Sequence, residues 1–262
     1  MDTYYLICAY VLFGLVGLSV GSFLNVVIYR LPREMSLAKP GSHCPACGYN
    51  LRWYDNIPIL SYLLLGGKCR SCRAHISFRY TLVEAATMGL SLLAVALFWR
   101  TAPLYAVVVA LCVPVLIAVF FIDLEHMLIF DRFQIALALL GAGATFLSPF
   151  TQPLEHLIGA AVGGGLFLLV YYGALLLLKR EGVGFGDVKL MAAAGLLLGW
   201  QSLLLSLLVG SVVASCVLLA LRGIRRDEAG REYPFAPFLV FGILVALFFG
   251  EAIVSRYIGL FF

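Results

Sequence analysis

Charge is scarce in this sequence. Only 12% of its 262 residues are Asp, Glu, Lys or Arg, while 63% are hydrophobic, and soluble domains carry about 25% charged residues. Mean hydropathy is +1.01. That shortage excludes a pair of soluble domains and fits one polytopic membrane domain. Internal repeats and low-complexity tracts are missing too. So is a glycine-rich dinucleotide fingerprint, which leaves any cofactor pocket without a signature of its own. The first apolar run, Tyr4 to about Val20, lacks the basic n-region and small-residue cleavage pattern of a signal peptide. A retained helix is expected there.

What is present is a series of long apolar runs. A spanning helix needs about 20 mostly apolar residues. Eight segments qualify as candidates, near 4–27, 81–99, 103–122, 133–149, 157–178, 188–200, 202–222 and 235–257. The expected fold is therefore an all-α polytopic membrane protein of about eight transmembrane helices. The apolar stretch 57–66 is too short to cross and is expected at the interface. Three regions follow: a first transmembrane helix (1–29), a Cys-rich segment (30–80) and a second, larger transmembrane region (81–262).

Basic residues set the orientation. Segment 30–80 holds eight Lys or Arg and only two acids, Glu34 and Asp55. With eight spans, sixteen basic residues fall on one side, and only Arg100 and Arg256 fall opposite. The N-terminus is then outside and 30–80 is cytoplasmic. The net charge of +4 needs no nucleic-acid partner, because topology accounts for it. Membrane lipid is the partner that the basic loops meet.

Three of the seven cysteines, Cys8, Cys112 and Cys216, lie in apolar runs and read as small hydrophobes. The other four form CPAC (Cys44, Cys47) and CRSC (Cys69, Cys72). This is the paired C-x₂-C spacing of a zinc ribbon or knuckle. Two tight turns aim four thiolates at one point, a tetrahedral shell that suits structural Zn²⁺. Two disulfides would need an oxidising compartment, which a cytoplasmic loop lacks. His43 and His75 flank the pairs, but four sulfurs already close the shell.

Acids at membrane depth mark function by default. Asp123 ends the third run, in AVFFIDLEHMLIFD, and Asp187 opens the sixth, in GVGFGDVKL. The topology puts both near the cytoplasmic face. Two facing carboxylates share a proton. The ionised partner can take a proton from water while the other donates to a peptide carbonyl. Gly184 and Gly186 permit a backbone that other residues resist and let a substrate strand come close. Read singly, Asp187 is a helix N-cap and Asp123 an interfacial charge. Asp131 is the competitor to Asp123, expected to cap a helix or pair with Arg132. Glu84 reads as a buried helix acid with a cationic neighbour such as Arg79.

In this order, GSFLNVVIYRLP (21–32), the two Cys pairs, NIPILSYLLLGGKCRSCRAHISFRYTLVE (56–84), FIDLEHMLIFD (121–131) and GFGDVKLMAAAGLLLG (184–199) resemble the type IV prepilin peptidase family. The GxGD element alone is shared with presenilin-like membrane proteases. The resemblance implies a bifunctional enzyme of the bacterial inner membrane. Its catalytic aspartates would be Asp123 and Asp187. Its cytoplasmic Cys44, Cys47, Cys69 and Cys72 would carry zinc. It would cleave the basic leader of prepilins or pseudopilins after a glycine, then methylate the new N-terminus with S-adenosylmethionine. The chain departs from the family at Phe130 and Thr81, where proline is usual. A non-catalytic zinc-knuckle scaffold and a general GxGD intramembrane protease are the alternatives.

Overall fold

The computed structural model describes residues 3–179, 182–224 and 233–261. Arg180, Arg225, Arg226 and Arg231, which enter the charge count above, lie outside the described residues. The described chain is helical: α1 (Thr3–Arg30), α2 (Leu60–Leu64), α3 (Arg79–Phe98), α4 (Pro103–His126), α5 (Asp131–Leu147), α6 (Pro153–Leu178), α7 (Phe185–Leu198), α8 (Trp200–Ile224) and α9 (Ala236–Phe261). Every candidate span is a helix. Six of them, α1, α3, α4, α6, α8 and α9, are long and apolar enough to cross a membrane. The count thus differs slightly from the expected eight, because α5 and α7 are shorter. The 17 residues of α5 and 14 of α7 rise only about 26 and 21 Å, short of a hydrocarbon core of about 30 Å. Stretch 57–66 holds the five-residue α2, with Leu63 and Leu64 exposed.

The chain divides into two units, Met1–Ala96 and Leu97–Phe262. In the first, α1 meets α3 through Gly17 and Gly21. A Cβ on Gly17 would lie 2.9 Å from the Met88 Cα, and one on Gly21 2.8 Å from the Glu84 Cα. This is the small-xxx-small contact that lets membrane helices approach.

In the second unit, α7 packs on α5 and α6 and buries Val188, Leu190, Met191, Ala194 and Leu197. It touches α6 backbone to backbone. A Cβ on Gly159 would collide with the Gly195 carbonyl, one on Gly195 with the Gly159 carbonyl, and one on Gly163 with the Met191 carbonyl. His156 of α6, 1% exposed, fastens the far end of α7. Its Nδ1 lies 2.9 Å from the Leu196 carbonyl and its Nε2 2.7 Å from the Thr151 hydroxyl. A carbonyl can only accept, so Nδ1 carries the hydrogen and Thr151 donates to Nε2. Gly195→Val is expected to drive α6 from α7 and cost about 1–3 kcal/mol or more, read as a fall in thermal midpoint of the detergent-solubilised protein. An unchanged midpoint would contradict the backbone contact.

Candidate functional site

Asp123 sits in the last turn of α4, 5% exposed. The helix stops four residues later, where Met127 turns left-handed (φ 52°) and its amide closes on the Asp123 carbonyl at 2.9 Å. The carboxylate of Asp123 faces the backbone amide of Ala236, at the start of α9. Asp187, 7% exposed, lies at the third position of α7, whose N-cap is Gly184. It is thus not the N-cap that a single-residue reading suggests. Gly184 has no side chain to cap with, and the Asp187 carboxylate reaches back to the Gly184 amide, as the acid of a capping box does.

Asp123 and Asp187 lie near enough for the charge of Asp123 to bear on Asp187. One oxygen of each, Oδ2 of Asp123 and Oδ1 of Asp187, is buried without a partner. Buried carboxylate oxygens left this way are costly.

Neighbouring residues hold this arrangement. Gln134 of α5, 4% exposed, donates from Nε2 to the Gly186 carbonyl at 2.8 Å. Gly186 itself leaves room for Ile129, which a Cβ would approach to 3.1 Å. Asp131 goes elsewhere. It is exposed and pairs with Lys189 at 2.7 Å, not with Arg132, whose guanidinium lies over the Phe130 ring. That pair ties the start of α5 to the first turns of α7.

In the first unit the four cysteine sulfurs lie within 4.8 Å of one another, and Cys44 Sγ is 3.9 Å from Cys72 Sγ. A tetrahedral Zn–S shell at 2.3 Å needs S···S near 3.8 Å, so the donor set fits one zinc ion. None of the seven cysteines is in a disulfide. The two pairs sit in matching knuckles. Cys44 N bonds Tyr49 O and Gly48 N bonds Cys44 O; Cys69 N bonds Ala74 O and Arg73 N bonds Cys69 O. Gly48 (φ 71°) and Arg73 (φ 61°) occupy the same left-handed step. The repeat escapes the sequence because glycine's role is taken by arginine. Amides of Cys72 and Ser71 lower the Cys69 thiol, while the neighbouring thiols raise Cys72 against the Ala74 amide, so the cluster titrates together.

Asp55 joins the knuckles. Its carboxylate accepts from Arg70 Nε at 2.6 Å, Tyr49 Oη at 3.2 Å and the Arg52 amide at 3.2 Å. Burial alone would raise its pKa, but the Arg70, Arg52 and Tyr49 hydrogen bonds win and hold it below the usual carboxylate range. A depressed carboxyl stabilises the fold above its unfolded pKa, and the contribution disappears as pH falls through the folded one. Asp55→Asn should therefore lower the thermal midpoint at neutral pH, with the gap from the parent protein closing in acid below about pH 4. A gap independent of pH would contradict the assignment.

The Bacterial Peptidase A24 N-terminal domain matches residues 15–100, and the Type IV leader peptidase family matches residues 110–219. A prepilin leader peptidase/N-methyltransferase of Aeromonas hydrophila is 38% identical, over 93% of this chain and 92% of that protein. Proteins of the same name from Pseudomonas aeruginosa and Legionella pneumophila are 36% and 34% identical, over 93% and 95% of this chain and 91% and 94% of theirs. No solved structure matches. With two buried aspartates in its second unit and a four-cysteine centre in its first, this multi-pass membrane chain belongs to the type IV leader peptidase family.

Proposed function

We propose that the protein is an aspartyl endopeptidase that removes the basic leader of type IV prepilins or pseudopilins after a glycine, and then N-methylates the exposed terminus. The observation that carries the proteolytic half is the pairing of Asp123 and Asp187, each with one unpartnered buried oxygen. In this reading both are catalytic. One carboxylate, ionised, takes a proton from water as that water attacks the peptide carbonyl. The other, protonated, donates to the carbonyl oxygen. The first then returns a proton to the departing amine. The carboxylates titrate as a pair, so neither owns a single pKa.

Cys44, Cys47, Cys69 and Cys72 would hold Zn²⁺ with no open position, so its role is structural. S-adenosylmethionine would supply the methyl group. The basic excess of segment 30–80 supports a cytoplasmic placement in the bacterial inner membrane, where a basic leader also stays.

The test is substrate profiling in detergent or liposomes, with a prepilin beside an unrelated single-span protein. Processing of the prepilin alone is expected. Equal cleavage of both would favour a general GxGD protease, and cleavage of neither a zinc-knuckle scaffold.

A further inference from the structure

Buried polar groups in folded proteins are nearly all hydrogen-bonded. Among the described residues of the second unit, four side chains depart from this. Oδ2 of Asp123, Nε2 of His126, Oε1 of Gln134 and Oδ1 of Asp187 are buried without a partner. They are not scattered. Asp123 and His126 belong to the last turn of α4, Gln134 to the first turn of α5 and Asp187 to the first turn of α7. Two of them are the carboxylates of the proposed pair. Of the others, Gln134 is the more deeply set, at 4% exposed, while His126 is half-buried.

The orientation of the Gln134 amide is fixed. The Gly186 carbonyl, 2.8 Å away, can only accept, so Nε2 faces it and Oε1 faces elsewhere. Gly186 is joined directly to Asp187, whose own amide bonds the Gly184 carbonyl at 3.0 Å. Gln134 Oε1 is therefore an acceptor held by the same backbone that positions Asp187. The donors at the pair are already committed, the Gly184 amide to Asp187 and the Ala236 amide to Asp123. What remains is a set of oxygen acceptors, and a substrate must bring the hydrogens.

Water and peptide bring them to different places. In the proposed reaction the attacking water gives its proton to an aspartate. A peptide carries one backbone N–H per residue, proline excepted. The N–H of the scissile bond departs with the amine. The nearest N–H that the reaction leaves unchanged belongs to the residue whose carbonyl is attacked, separated from that carbon only by its Cα.

We infer that Gln134 Oε1 accepts the backbone N–H of the residue before the scissile bond, the glycine of the proposed substrates, and so sets the register of the substrate strand against Asp123 and Asp187. The inference rests on the proteolytic reading above and assigns a substrate contact within it. Nε2 holds the GFGD backbone and Oε1 the substrate backbone, so one side chain joins the two. Because Gly186 already holds the amide, little ordering remains to be done when the strand arrives.

Ester substitution in the substrate tests it. Synthetic leader peptides would carry glycine or glycolate before the scissile bond. Glycolate removes that N–H and leaves the scissile amide intact. A control peptide carries a hydroxy acid one residue earlier. The kcat/KM of each would be measured with the full-length protein in detergent. The parent should process the glycolate peptide at least roughly tenfold more slowly than the glycine peptide, because a buried acceptor loses its donor. In Gln134→Leu the two peptides should differ by less than about twofold. Gln134→Glu keeps an oxygen that can accept the N–H, and should again favour glycine by roughly tenfold. The control ester should cost the parent and Gln134→Leu equally.

A glycolate peptide processed by the parent at the glycine rate would overturn the inference without recourse to any variant. Equal discrimination by the parent and Gln134→Leu would overturn it while leaving the proteolytic pair standing. A parent protein that cleaves none of the peptides, and no full-length prepilin, would overturn the reading on which it rests.

Discussion

Asp123→Asn and Asp187→Asn should each slow leader cleavage by about 10³-fold, the scale on which a positioned acid or base contributes. Asparagine preserves size. At position 187 its carbonyl oxygen can still accept the Gly184 amide that the carboxylate meets, so the start of α7 survives. At position 123 an oxygen can still face the Ala236 amide. What is lost is the ability to ionise and to pass a proton. Circular dichroism and metal content should therefore match the parent protein while the rate falls. Asp131→Asn is the contrasting case. It breaks an ion pair with Lys189 whose partners are 67% and 41% exposed, and exposed pairs contribute little. Its effect on rate should stay below about fivefold. A loss at Asp131 equal to that at Asp123 would place the chemistry elsewhere in the 121–131 stretch.

Cys69→Ser carries the second large effect. The four sulfurs are close enough to share one ion, and a structural zinc contributes about 10–16 kcal/mol of apparent binding energy, which is also folding energy. Cys69 is 3% exposed, so neither solvent nor a neighbouring thiol readily replaces it. The parent protein should retain one zinc per chain through dialysis, and the variant roughly a tenth of that or less. Segment 30–80, with eight Lys and Arg, should then be open to trypsin in the variant and resist it in the parent. Full zinc retention by Cys69→Ser would contradict a four-thiolate site.

Much of this is legible in the sequence. The apolar runs become helices because nothing else satisfies the backbone in lipid, and the C-x₂-C pairs converge because their spacing permits little else. The shortness of α5 and α7 was less legible. Apolar composition alone does not separate a lipid-facing span from a short helix buried among others, and α7 is the second kind. Long-range partners were not legible either. Lys189 lies 58 residues from Asp131, and Gln134 lies 52 from Gly186, so only packing chooses them over Arg132. The Ala236 amide carries no side-chain signal, and nothing in the segment before α9 points to Asp123.

The central claim is that the carboxylates of Asp123 and Asp187 form one proteolytic pair. Its most direct test is mass spectrometry of a purified prepilin incubated with S-adenosylmethionine and either the parent protein or Asp187→Asn. With the parent, the prepilin should lose its leader and gain one methyl group. With Asp187→Asn, its mass should not change. Cleavage by Asp187→Asn at the parent rate would contradict the account.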